Sequence, residues 1–130
     1  MDTHIFLWYV TNNKKLNEAT QNIINERDNL IYLSEASIWE IAIKYSLKKL
    51  TFDLPFREFI EEQIKVNDFK ILNFNLSHFE QITKLPFHHR DPFDRIIIAQ
   101  SIIENYPLIS YDQMFNSYEV QLLGLEEEKI

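Results

Sequence analysis

The chain has 130 residues, a formal net charge of −7 and no cysteine. Its length predicts one domain whose core is large enough to need no disulfide, and the lack of cysteine excludes thiolate zinc sites and cysteine nucleophiles. The acidic balance argues against a protein that coats nucleic acid through a basic face. It does not argue against a nuclease, because acidic metal ligands would themselves add to the negative count.

Helices alternate with short apolar strands along the chain. The first predicted elements are a helix over 17–27, a strand over 30–34, a helix over 35–50 capped by Ser34, a helix over 56–66 opened by Pro55, a strand over 69–74, and a helix ending near Leu85 with a capping box of Ser77 and Glu80. The last are a helix from Pro92 to about Asn105 and strands over 107–110 and 120–123. Strands separated by helices predict an α/β fold with a parallel sheet covered on both faces.

Two further features bear on the class of protein. Gly124 is the one glycine of the chain, whereas phosphate-binding loops and dinucleotide-binding fingerprints need several. The apolar run over 5–10 is too short to cross a bilayer and follows no basic segment, so we expect a cytoplasmic protein without a membrane span. We assign residues 1–125 to one domain and residues 126–130 to a solvated acidic tail.

Four carboxylates lie in apolar segments or where an element begins or ends: Asp2, Glu40, Asp94 and Asp112. Each has a local explanation, as a helix cap, as a turn residue or, for Glu40, as a helical ion pair with Lys44. If all four converged on one cleft, they would repel one another unless divalent cations neutralised them. Oxygen ligands suit Mg²⁺ or Mn²⁺, and such a site favours attack of water on a phosphodiester.

Asp91 and Asp94 lie three positions apart, on either side of Pro92. Asp91 is suited to be a helix N-cap, Pro92 to be the first helical residue, and Asp94 to complete a capping box. On that interpretation both carboxylates are structural. The alternative is that only Asp91 caps the helix, while Asp94 faces a metal site.

Four segments resemble the acidic motifs of a known family in their order and spacing: MDTHIFLW, SEASIWEIAIK, HHRDPFDRIIIAQ and LISYD. They look like the motifs of the PIN-domain ribonucleases, in particular the VapC-like toxins of bacterial toxin–antitoxin pairs, and the resemblance covers nearly the whole chain. It implies a three-layer fold with a central parallel sheet flanked by helices. It also implies a Mg²⁺- or Mn²⁺-dependent endoribonuclease that forms a homodimer and is held inactive by a cognate antitoxin.

The resemblance also implies roles for individual residues. It matches Asp2, Glu40, Asp94 and Asp112 to the metal-binding acids, Ser110 to a hydroxyl residue that helps to order the site, and Asp91 to a further acid with a supporting role. Members of the family carry a short apolar strand before the first aspartate, whereas only Met1 precedes Asp2 here. We therefore expect a truncated first strand, with Asp2 on a frayed terminus. That expectation leaves a second hypothesis open, a non-catalytic PIN-fold binding module that dimerises and binds an antitoxin-like partner.

The remaining candidates are basic side chains and histidines. Five basic residues could line the rim of the cleft and hold RNA phosphates, or could be ordinary surface charge: Lys44, Lys48, Lys49, Arg90 and Arg95. His88 and His89 are adjacent and so do not share a helix face. They could bind a metal or act as an acid–base pair, but we expect them to lie in a solvated loop or to contact RNA.

Overall fold

The computed structural model describes residues 1–124, and the tail predicted at 126–130 lies outside them. The elements are α1 (Thr3–Val10), α2 (Glu18–Asn25), β1 (Tyr32–Ser34), α3 (Glu35–Ser46), α4 (Phe56–Asn67), β2 (Lys70–Leu72), α5 (Leu76–Lys84), α6 (Pro92–Glu104), β3 (Leu108–Ile109), a 3₁₀-helix (Gln113–Ser117) and β4 (Leu122–Leu123). The predicted α/β class with parallel strands is confirmed. Each predicted strand is present but shorter than expected. Among the described residues, no helix is long and apolar enough to cross a bilayer.

The four strands form two parallel pairs. β1 pairs with β2, and β3 pairs with β4. The first two residues of the chain connect the pairs. The amine of Met1 donates to the carbonyl oxygen of Tyr32 in β1 at 3.2 Å, and the N–H of Asp2 donates to the carbonyl oxygen of Ile109 in β3 at 3.0 Å. A cleft of about 430 Å³ between β1 and β3 is lined by residues of both strands and by Met1.

Asp2 does not lie on a frayed terminus, so that expectation is wrong. The residue is only 5% exposed, and its Oδ1 accepts the N–H of Ile5 at 2.9 Å as the N-cap of α1. The side chains of Ile5 and Phe6 are completely buried, which fixes α1 in the core. Anchored on both sides, by β3 and by α1, the first aspartate is held in place.

Helix capping largely follows the sequence prediction. The hydroxyl of Ser34 accepts the N–H of Ala36 at the start of α3. At the start of α6, Oδ1 of Asp91 accepts the N–H groups of Phe93 and Asp94 at 2.8 and 3.2 Å. Asp91 is therefore the N-cap, as predicted.

The capping box predicted from Ser77 and Glu80 is wrong. The N-cap of α5 is Asn75, whose side chain accepts the N–H of His78, while Nδ1 of His78 accepts the N–H of Asn75. Asparagine caps at least as well as serine. The ring of His78 is completely buried next to the cap and can return the hydrogen bond, whereas the Glu80 side chain lies exposed in the helix.

Two apolar clusters hold the elements that carry the candidate acids. The first joins α1, β1, α3 and α4 through Phe6, Leu33, Ile41 and Phe59, and the second joins α3, α6, β3 and the 3₁₀-helix through Ala36, Ile98, Leu108 and Phe115. Complete burial of a leucine, isoleucine or phenylalanine side chain contributes about 1.5–3 kcal/mol to the stability of the folded protein. Since α3 contributes to both clusters, the starts of α1 and α6 and the end of β3 are fixed relative to one another.

Candidate metal centre

His89 connects two of the predicted acids. Its Nε2 lies 3.0 Å from Oδ2 of Asp94, in the first turn of α6, and 3.1 Å from Oδ2 of Asp112, which follows β3. Oδ1 of Asp112 accepts the N–H of Met114 and so caps the 3₁₀-helix. The ligand atoms of His89, Asp94 and Asp112 all lie within 4.8 Å of one another, which is close enough for one metal ion.

Ser110 joins Asp2 to this group. It is completely buried, and its hydroxyl accepts the N–H of Asp112 at 3.0 Å. The same hydroxyl lies near the Asp2 carboxyl and, as a potential donor to it, lowers the pKa of Asp2. A hydroxyl can accept one hydrogen bond and donate another. Ser110 therefore orients two of the predicted acids at once.

The electrostatics of the site disfavour ionised carboxyls. Burial raises the pKa of Asp2 above its ordinary value, against the opposing effect of its hydrogen bonds. Burial, together with the nearby charges of Asp91, Asp2 and Glu40, raises the pKa of Asp94 to about 7, against the opposing effect of His89. Crowded, poorly solvated carboxylates are stabilised by a divalent cation.

Glu40 contributes negative charge but has a cation of its own. Its Oε2 lies 3.1 Å from Nζ of Lys44, and its side chain is 13% exposed. The structure therefore shows the helical ion pair that the sequence suggested. The charge of Glu40 still acts on Asp94, whose pKa it raises. Within the described residues, neither Glu40 nor Asp2 belongs to the compact group around His89.

Arg95 is not available to hold RNA phosphates at the rim. It is 6% exposed, and its guanidinium donates to the carbonyl oxygens of Ile82, Leu85, Pro86 and His89 at 3.0–3.3 Å. The guanidinium of Arg95 therefore stabilises the loop that leads into α6. Three of the other basic candidates, Lys48, Lys49 and Arg90, are exposed.

The sequence favoured a solvated loop or an RNA contact for both histidines, and the solvated loop is wrong for His89. His88 is exposed, as a solvated loop residue should be, but its neighbour is only 14% exposed at the side chain and contacts both acids. Adjacent histidines give no periodicity that separates a buried ring from an exposed one. The missing information was the position of Asp112, which lies 23 residues further along the chain.

The family model for the PIN domain matches residues 1–120. The chain belongs to the PIN domain family. PIN domains are typically metal-dependent nucleases, and the carboxylates at this site suit a divalent cation. None of the curated proteins and none of the solved structures matches the chain.

Proposed function

We propose that this PIN domain is a Mg²⁺- or Mn²⁺-dependent endoribonuclease and the toxin of a toxin–antitoxin pair. The observation that carries the proposal is the convergence of Asp94 and Asp112 on His89, with Asp2 tied to Asp112 through Ser110. These acids come from the starts of two helices and the end of a strand. Their separation along the chain argues against a purely local capping role.

Each site residue has a defined task in this proposal. Asp2, Asp94 and Asp112 hold the cation, and Glu40 adds negative charge. A bound Mg²⁺ or Mn²⁺ would activate water for attack on the phosphodiester and stabilise the leaving oxygen. The positive end of the α6 dipole favours the ionised form of Asp94, which lies in the first helical turn.

Substrate class can be tested directly. Total RNA and single-stranded DNA are each incubated with the protein and Mn²⁺ or Mg²⁺, and a parallel reaction contains EDTA. We expect the RNA to be cleaved, the DNA to persist and EDTA to abolish cleavage. Cleavage of DNA would contradict the RNA assignment, and RNA cleavage that survives EDTA would contradict the metal site.

The non-catalytic alternative rests on the short segment before Asp2, but Asp2 itself is buried and anchored rather than frayed. The acid set therefore supports the catalytic hypothesis. The same RNA assay decides between the two, since a binding module would leave the RNA intact.

We further propose that a cognate antitoxin inhibits the enzyme by placing an arginine or lysine among the acids. Within the described residues, the ring of His89 contacts both Asp94 and Asp112, and neither carboxylate forms an ion pair with a lysine or arginine. A guanidinium can pair with carboxylates bidentately. A structure of the complex in which the partner contributes no basic side chain to these acids would contradict the proposal.

Assembly as a homodimer in the cytoplasm completes the proposal. Trp39 and Ile43 of α3 and Leu47, the C-cap residue of this helix, follow one another at every fourth position, and all three are exposed, which supports contact with another chain. Light scattering on the purified protein should give the mass of two chains. A monomer at micromolar concentration would contradict the dimer.

A further inference from the structure

We propose that His89 is a positioning residue whose Nε2–H holds Asp94 and Asp112 in place, and that it is not itself a ligand of the cation. The inference rests on the proposed metal site and adds a role for one side chain. Imidazole nitrogen can serve either purpose, since a lone pair binds a metal and an N–H donates to a carboxylate. The surroundings of the ring decide between the two.

The other ring nitrogen fixes the position of the proton. The backbone N–H of Asp91 points at Nδ1 of His89 at 3.2 Å, and a backbone N–H can only donate. Nδ1 therefore carries the lone pair, and the proton of the neutral ring lies on Nε2. Nε2 in turn faces two acceptors, Oδ2 of Asp94 and Oδ2 of Asp112. A metal bond through Nε2 would require the proton on Nδ1, where it would face the N–H of Asp91.

The backbone and the ring face of His89 are also held by specific contacts. Its own N–H donates to the hydroxyl of Tyr118 at 2.8 Å, and its carbonyl oxygen accepts from Arg95 at 3.3 Å. The ring packs against Phe115 with the centroids 5.6 Å apart. The Tyr118 hydroxyl donates in turn to the carbonyl oxygen of Pro86, which also accepts from Arg95. Buried Arg95 and Tyr118 therefore serve to aim one N–H group.

The Nε2–H of His89 counteracts a repulsion within the proposed metal site. Asp94 and Asp112 belong to different elements, and as like charges they repel each other. Each carboxylate oxygen has lone pairs left for a cation after it accepts the Nε2–H. A rigid donor between the two carboxylates therefore keeps them at a fixed separation and still leaves oxygen for the metal. Supporting contacts of this kind typically change metal affinity by 10–100-fold.

The test compares two amides that differ in reach. In His89→Gln the amide nitrogen replaces Nε2 and can still donate to both carboxylates, whereas in His89→Asn the amide stops at the level of Nδ1. His88→Ala removes the exposed neighbouring ring and serves as the control. Affinity for Mn²⁺ and for Mg²⁺ is measured by calorimetry on the full chain, with circular dichroism to show that each variant is folded.

We expect His89→Asn to bind both cations 10–100-fold more weakly, and His89→Gln and His88→Ala to bind them within about threefold of the unchanged protein. A loss for Mn²⁺ without a loss for Mg²⁺ would overturn the inference, because it would identify a nitrogen ligand, which suits Mn²⁺ better. Equal affinity of His89→Asn and the unchanged protein would also overturn it. If the unchanged protein binds neither cation, the proposed metal site itself fails.

The tautomer can be observed without any metal. Nitrogen-15 NMR of the histidine ring nitrogens distinguishes protonated from unprotonated positions, and the pair of signals that is absent from the spectrum of His89→Gln is that of His89. We expect a protonated Nε2 and an unprotonated Nδ1. The opposite pattern would overturn the inference.

Discussion

Removing the charge of Asp94 should stabilise the protein in EDTA above neutral pH. Burial and the charges of Asp91, Asp2 and Glu40 raise the pKa of Asp94 from 3.8 to about 7. The folded state therefore binds a proton more tightly than the unfolded state. Above pH 7 the carboxyl is ionised in both states and the full cost of its charge falls on the folded protein; this cost disappears as the pH falls towards 4.

The magnitude follows from the size of the shift. One pKa unit corresponds to about 1.4 kcal/mol, so a rise of about three units corresponds to at most about 4 kcal/mol. The side chain of Asp94 is 23% exposed, and solvent screening reduces the effect. We expect Asp94→Asn to unfold with a free energy about 2 kcal/mol higher than the unchanged protein at pH 8, and expect the difference to shrink steadily below pH 7.

Urea denaturation in EDTA at several pH values between 4.5 and 8 measures this difference. Because both proteins contain the same other titrating groups, their contributions cancel in the comparison. One of these groups is the buried Met1 amine, whose pKa is lowered to about 6, so that its charge destabilises the folded state as the pH falls. Asp68→Asn makes the same chemical change at a side chain that is 86% exposed and should have little effect. If Asp94→Asn is no more stable than the unchanged protein at pH 8, the electrostatic reasoning fails.

The other predictions concern capping, metal binding and the cleft between the strand pairs. Asp91→Asn should leave the free energy of unfolding nearly unchanged and Asp91→Ala should lower it by about 1 kcal/mol in urea, because asparagine still caps α6; equal losses in both variants would argue against the capping role. Mn²⁺ at a hundredfold excess over its dissociation constant should stabilise the protein by about 2.7 kcal/mol, and an unchanged melting midpoint in the folded protein would count against the site. Four apolar residues added before Met1 should raise the melting midpoint, because they can pair with β1 and β3 and replace the buried amine; the same extension with prolines is the control, and an equal midpoint for both would refute the pairing.

Apart from α1 and the 3₁₀-helix, which were not predicted from the sequence, the order of the elements could be predicted because its signals are local. Pro92 between two aspartates predicts the start of α6, and Ser34 predicts the start of α3. Strand ends were predicted too long because pairing, and not apolar composition, decides where a strand ends. The cap of α5 went to Asn75 because a buried ring, His78, could complete the box.

The candidate site was harder to predict than the fold. The acids stood out as carboxylates in apolar or terminal positions, but no spacing rule shows that His89 lies between Asp94 and Asp112. Nor could the sequence show that Arg95 would turn inward to hold a loop. Both facts depend on how α6, β3 and the 3₁₀-helix pack, which is a property of the tertiary structure.

RNA cleavage by Asp94→Asn, with Asp68→Asn as the matched control, tests the central claim most directly. Both variants exchange one carboxylate for an amide, but only the first does so beside Asp112 and His89. With Mn²⁺ we predict a loss of a hundredfold or more for Asp94→Asn, the size expected when an electrostatic contact to the transition state is removed, and nearly full activity for Asp68→Asn. Full activity of the folded Asp94→Asn protein would contradict the account.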